Sequence, residues 1–395
     1  YTSVGSTVPV SLTWEKSTTY DLGLDLDFLN NRLSFSGDYY RRYTTDMYTA
    51  SVALPAVYGT GSPKGNNAEM KTDGWELSLS WRDSFKLGGK PFDYSIKAMV
   101  WDNRTVVTKY ENATRSLGTL KGFIENGGSP SSYYVGMTVG EIWGYTVAGL
   151  FRDQADIDSS AIHDFVQASD KVTRPGQVKI ADLDGNGFID PGNFAVDDHG
   201  DLRIIGNQSP RYRYGVNLSA RWNGIGLSVF LQGVGARDWY PGSDAGMFWG
   251  KYGRPFFALI PSIHNYTDDM YSAERNNWDT AYWPRMTTYQ SNGTKNWTRL
   301  LEIPNTRYIQ SAAYLRVKNI QLDYSFPKHI CSAIRLQGLK IYVNAENLFT
   351  FTPLHKYAPN FDPEGLSYDS DFASAADGYT YPILKSVTVG VNITF

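Results

Sequence analysis

The sequence predicts an all-β fold: a transmembrane antiparallel β-barrel, or a portion of one. Three observations carry that expectation. Apolar and polar residues alternate along segments spread through all 395 residues, and no run approaches the roughly 18 apolar residues that a spanning helix needs. The connections between the alternating segments are in turn short and long, as in outer-membrane barrels. Composition agrees without deciding. Lys+Arg 37 against Asp+Glu 40 gives a formal net charge of -3, which is no electrostatic footprint for nucleic acid. A mean hydropathy of -0.38 looks soluble, but a barrel strand turns only every second residue to lipid and escapes such an average. The aromatic fraction of 15%, led by Tyr 28, exceeds what a soluble core requires. Cys331 is the only cysteine, so neither a disulfide within the chain nor a Cys-based metal site is available. The chain opens at Tyr1 without an initiator Met or an apolar leader, as expected if a targeting segment is removed or lies upstream.

Taken in chain order, the period-two segments begin with Tyr20, Leu22, Leu24, Leu26 and Phe28, interleaved with Asp21, Gly23, Asp25 and Asp27. Leu33, Phe35, Gly37 and Tyr39 form the next stripe, then Trp75, Leu77, Leu79 and Trp81, then Phe92, Tyr94, Ile96, Ala98 and Val100. Tyr212, Tyr214, Val216, Leu218, Ala220 and Trp222 alternate with Arg211, Arg213, Gly215, Asn217, Ser219 and Arg221. Asn223-Gly224 suits a two-residue hairpin because both positions tolerate positive φ, and Ile225, Leu227, Val229 and Leu231 follow it. Ile320, Leu322, Tyr324 and Phe326 make a further stripe, as do Leu339, Ile341, Val343 and Ala345. The last runs through Val387, Val389, Val391 and Ile393 to Phe395, which as a terminal aromatic resembles the insertion signal of bacterial outer-membrane barrels. Val8, Val10, Leu12 and Trp14 offer a tenth strand.

Short connections are expected at Leu29 to Asn31, Ser84 to Lys90, Asn223-Gly224 and Pro327 to Gln337, on the periplasmic side. Long ones are expected outside, at Arg42 to Met70, residues 103–210, residues 234–314 and Thr350 to Pro382. Nine or ten strands are out of proportion to such loops, and an open sheet would leave bare edges in lipid. The expected whole is therefore a larger barrel of about 22 strands, completed by the remaining part of the same barrel.

Two constellations could carry chemistry. Asp182, Asp184, Asn186, the Phe188 carbonyl and Asp190 fall at positions 1, 3, 5, 7 and 9 of an EF-hand-like loop over residues 182–193, with Gly187 at the turn. That oxygen spacing suits a structural Ca²⁺. Position 12 holds Asn193 where a bidentate Glu is usual, so the last ligand is expected from Asp197 or Asp198; an Asp/Asn/Gly-rich turn without an ion is the alternative. The 234–314 loop carries Trp239, Tyr240, Trp249, Tyr252, Trp278 and Trp283, whose flat faces suit sugar rings or a docked lid, with packing inside the loop as the plainer reading. Polar positions such as Asp21, Asp25, Glu76, Arg82, Arg221 and Glu346 are expected on the lumen side. The histidines His163, His199, His264, His329 and His355 form no HExxH, and no nucleophile elbow or phosphate-binding loop is present, so an enzyme is not expected.

Several stretches resemble the SusC/RagA family of TonB-dependent outer-membrane transporters of Bacteroidetes. They are Leu12 to Lys16, Asp21 to Asp25, Asn30 to Tyr40, Thr44 to Met47, and Thr72 to Glu76, where Thr72 departs from the family's Asn. Further along come Gly206 to Pro210, Tyr214 to Asn217, Arg285 after Pro284, Ser311 to Ile320, Tyr324 to Pro327, and Ile341 to Thr350. The resemblance implies the C-terminal part of such a barrel, in a Gram-negative outer membrane, with plug and first strands upstream. It also implies active uptake of oligomeric nutrients, oligosaccharides first and oligopeptides as the alternative, with a SusD-like surface lipoprotein as lid and TonB as energy source. A passive porin or adhesin barrel, and a soluble carbohydrate-binding β-protein, are the competing classes.

Overall fold

A computed structural model describes residues 12–50, 64–119, 128–163, 172–241, 246–249, 269–285, 303–366 and 383–395. Strands β1 (Lys16–Phe28), β2 (Leu33–Ala50), β3 (Lys64–Leu87) and β4 (Lys90–Lys109) come first, followed by the short strands β5 (Glu141–Tyr145), β6 (Val147–Leu150), β7 (Val178–Ile180) and β8 (Leu202–Asn207). Next are β9 (Arg211–Trp222), β10 (Ile225–Ala236), the two-residue strands β11 (Asp238–Trp239) and β12 (Gln310–Ser311), then β13 (Tyr314–Ser325), β14 (Gly338–Phe351) and β15 (Ser386–Thr394). Among the described residues, nine of these form one sheet in the order β1-β2-β3-β4-β9-β10-β13-β14-β15, with every neighbouring pair antiparallel. No helix among the described residues is long and apolar enough to cross a membrane.

Register explains why the alternation is written into the sequence. Following partners across the sheet, one row reads Phe28, Leu33, Trp81, Ile96, Leu218, Val229, Ile320, Ala345, Val387, apolar at every strand. The adjacent row, on the opposite face, reads Asp27, Ser34, Ser80, Lys97, Asn217, Phe230, Asn319, Glu346, Ser386, polar at all but Phe230. A slip of one residue between any two strands would exchange the faces. The apolar face lies open: Leu22 is 75%, Val389 73% and Leu322 52% exposed. A face so continuous is stable only against lipid.

The short connections all lie at one end. Leu29, Asn30 and Asn31 take φ of 54, 55 and 62°, and Asn223-Gly224 forms the expected hairpin with φ of 50 and 86°. The turn expected over residues 84–90 is tighter: β3 continues to Leu87, and only Gly88-Gly89, at φ of 58 and 77°, makes the reversal. A short helix, Lys328–Ala333, spans half of the β13–β14 connection. At the other end the strands outrun the expected boundaries. β2 reaches Ala50 and β3 starts at Lys64, so much of the connection expected over 42–70 is paired strand, while β4 continues to Lys109. Beyond the bilayer no lipid enforces alternation, and these extensions carry no period to read. Of the suggested tenth strand, residues 8–11 lie outside the described residues, and Leu12 to Glu15 are not in a strand. Among the described residues the sheet ends at β1 and β15, which do not pair with one another.

Candidate functional site

Above the long-loop end, the connections fold together into a body with its own hydrophobic core. Leu117, Tyr145, Leu202, Trp239, Tyr308, Leu354 and Phe361, drawn from three different connections, are buried in one cluster. The two-stranded sheets β5·β8, β6·β7 and β11·β12 brace it. This core is where the chain buries aromatic surface that the sheet leaves in the open.

The aromatic candidates sit inside it. Trp239, Tyr240, Trp249 and Trp283 are each 2% exposed or less, and Trp278 is half-buried against the same cluster; Tyr252 lies outside the described residues. Their rings pack on one another: Phe248 meets Trp249 edge to face at 4.8 Å, Trp283 stacks on Tyr308 at 5.7 Å, and Trp239 meets Phe361 at 4.8 Å. Tyr282 and Tyr357 stack at 3.6 Å and 4°, joining the 234–314 loop to the segment after β14. Of the readings these rings allow, the described ones follow packing inside the loop, because aromatic rings in a long loop gain more by burying one another than by facing water. Phe395, just past β15, is 81% exposed.

Buried charges fasten this body to the wall. Arg316 on β13, with a side chain only 3% exposed, donates to Glu364 at 2.9 Å, to Asp362 at 2.7 Å and to the Thr350 hydroxyl at 2.9 Å. Lys318 and the Tyr314 hydroxyl reach Glu364 as well, at 2.8 and 2.9 Å. Arg237 donates to the backbone carbonyls of Gln208, Pro363 and Leu366, linking two connections. Arg211 pairs in bidentate fashion with Asp102, whose side chain is 3% exposed. Arg211 falls in the polar stripe that alternates with Tyr212 to Trp222, whereas no local pattern marks Arg316 or Arg237; the Asp362-Pro-Glu364 acidic pair in the last long connection is the available signal.

The EF-hand-like segment folds into a turn held by its own side chains. Asp182 accepts from the Gly185 and Gly187 amides at 2.6 and 2.9 Å, Asp184 from Asn186 N at 3.0 Å, and Asn186 Oδ1 from Phe188 N at 2.7 Å. The amide of Gly187 first, and that of Gly185 after it, hold the Asp182 carboxyl below the usual carboxylate range. One oxygen each from Asp182, Asp184 and Asp201 lies within 4.8 Å of the other two. Ca²⁺ binds oxygens at about 2.3–2.6 Å, so oxygens on opposite sides of one ion stand about that far apart, and the donor set fits a hard cation. Asp201 was not foreseen. The expected donors Asp197 and Asp198 are engaged elsewhere, Asp197 with Arg115 at 2.6 Å and Asp198 with the side chain of Asn193. Chain reversal instead brings in Asp201, next to β8 and 0% exposed. Asp190 stands beside the trio, accepting from the Gly192 amide at 2.7 Å and from the Asn186 side chain at 3.4 Å. Burial, with Asp184 and Asp182 close by, pushes the Asp201 carboxyl above its ordinary range.

A lipid-facing antiparallel wall with a polar inner face, short turns at one end and a folded loop body at the other defines an outer-membrane β-barrel. The family described as TonB dependent receptor-like, beta-barrel, matches residues 1–161. TonB-dependent receptor P3 of Formosa agariphila is 26% identical over 98% of this chain and 34% of its own length; TonB-dependent receptor SusC of Bacteroides thetaiotaomicron is 24% identical over 98% and 32%. The RagAB peptide importer in its open-open state shares the fold, with a TM-score of 0.66 at 19% identity, covering 97% of this chain and 35% of that one. The chain is thus similar to TonB-dependent receptor β-barrels, and it spans about a third of the length of the curated relatives it matches. Those relatives are all named as receptors.

Proposed function

We propose that this chain forms part of an active importer that takes up oligomeric nutrients across the outer membrane, with a SusD-like lipoprotein as lid and TonB as energy source. The observation that carries the reading is the loop body: a membrane wall whose outer connections fold around one aromatic core, fastened to the wall by Arg316 and tied together by Arg237. A receptor that meets a lid needs a rigid outer surface, and connections packed around one core supply it. Oligosaccharide is the first substrate class and oligopeptide the second. The sugar expectation drew on aromatic faces that are turned inward here, and the fold likeness to a peptide importer supports peptide as the competing arm. The test uses the full receptor, purified in detergent with whatever lipoprotein accompanies it and then offered glycan and peptide pools. Retention of glycans with a co-purifying lipoprotein is expected. Retention of peptides alone would overturn the sugar assignment, and TonB-independent uptake in cells would overturn active import.

A further inference from the structure

The structure assigns to residues 182–190 and Asp201 a calcium site in which Asp201, reaching in from beside β8, supplies the carboxylate that position 12 lacks. In an EF-hand-like loop the twelfth residue closes the coordination sphere; here it is Asn193, whose side chain is turned to Asp198. Asp201 takes its place from further along the chain. It is bound to the loop from both sides, accepting from Leu183 N at 2.6 Å and from Asp190 N at 3.1 Å, while its own amide donates to the Asp190 carbonyl at 3.0 Å. Three carboxylates thereby converge, one of them fully buried, and among the described residues no cationic side chain pairs with any of them. Like charges brought so close without a counter-ion repel one another, and a divalent cation is the simplest species that neutralises them.

Oxygens outside the carboxylate cluster point the same way. Tyr145 on β5 is 1% exposed, and its hydroxyl has no hydrogen-bond partner. Pairing of Tyr145 with Leu202 sets it beside Asp201, and the carboxylates whose charge reaches its hydroxyl are those of Asp201 and Asp190. A buried phenol next to carboxylates that it does not bond is an uncommitted group facing an incomplete polar site, suited to hold a metal-bound water. Among the described residues, the Phe188 carbonyl, the donor expected at position 7, accepts no hydrogen bond although both neighbouring residues are bridged to Ile162. The Asn186 Oδ1, which accepts from Phe188 N at 2.7 Å, keeps a second lone pair for a cation, while its Nδ2 bridges Asp184 and Asp190 at 3.2 and 3.4 Å. The ion would thus tie an exposed turn to the β5·β8 sheet and so to the core of the loop body.

The test is Ca²⁺ binding to the full receptor by isothermal titration after chelator treatment, with Asp184→Asn and Asp201→Asn as variants and Asp198→Asn as control. The expected result is that each of the first two loses one equivalent of Ca²⁺ and the control loses none. Loss in Asp184→Asn with full retention in Asp201→Asn would overturn the assignment of Asp201, and equal binding by all variants would overturn the site. Because Asp201 is buried and its variant can misfold, hydrogen exchange on the wild-type receptor is a second readout. Added Ca²⁺ should slow exchange at the Leu183 and Asp190 amides at least tenfold, and unchanged exchange there counts against the proposal.

Discussion

At the scale of single residues, the loop body depends on a few groups that water cannot reach. Arg316 holds Asp362 and Glu364 together, and removing it leaves two largely buried carboxylates facing one another. Arg316→Met is expected to cost about 3–5 kcal/mol locally, read as loss of hydrogen-exchange protection over residues 352–366 while the sheet stays protected. Retained protection there would show that aromatic packing alone holds the segment. His163 gives the body a pH dependence. Its Nε2 accepts from Ile180 N at 2.9 Å, so the native ring is neutral, and burial first, with Lys179 nearby, lowers its pKa from the ordinary 6.5. Protons therefore bind the unfolded loop more readily than the folded one. The stability this histidine confers is complete above about pH 6.5 and falls away as pH drops from there toward its native pKa. Protection at Val178–Ile180 should decline over that window in the wild type and lose that dependence in His163→Asn.

At the scale of elements, strands lock to one another through rings lying over glycines. Tyr40 covers Gly74, Tyr214 covers Gly233 and Tyr342 covers Gly390, each pair directly opposed across strands. A Cβ on any of these glycines would come within 2.3 Å of the ring. Gly390→Ala should therefore destabilise the folded barrel by about 1–3 kcal/mol in urea. Combined with Tyr342→Ala the two effects should fall short of additive, since the clash needs both partners; full additivity would show that the pair is not coupled. The same scale shows what was legible in the sequence. All nine strands announced themselves where lipid lies on one side and lumen on the other, because there each residue's polarity is dictated by the face it occupies. Strand ends were not legible: Lys64 to Glu69 pair with β2 or β4 beyond the bilayer, where either face meets water. The loop body was legible only in part. The 182–190 turn is encoded locally by Asp and Gly spacing, but Asp201 joins it through chain reversal that no local pattern records. Trp249 and Trp283 would read the same way in a sequence whether they stacked on sugars or on each other.

At the scale of the whole molecule, the sheet is a wall and not yet a barrel. Among the described residues its outermost strands β1 and β15 leave their free edges unpaired, and in lipid each unmet backbone group costs several kcal/mol. The chain expressed by itself with a signal sequence is therefore expected to aggregate and to show no heat-modifiable band on electrophoresis. Supplying the missing strands, in cis or as a separate fragment, should restore that band. A monodisperse, heat-modifiable barrel from this chain alone would mean that β1 and β15 close on one another.

The wall is also uneven in height. β3 runs for 24 residues and β4 for 20, while β9, β10 and β13 have 12 each and β15 has 9. At about 3.3 Å per residue and a tilt near 40°, β3 climbs about 60 Å and β15 about 23 Å from the same turn-bearing base. The rim is a slope. The connections after β4, β10 and β14 pack into the loop body, so height is held by hydrogen-bonded backbone at the long strands and by buried side chains above the short ones.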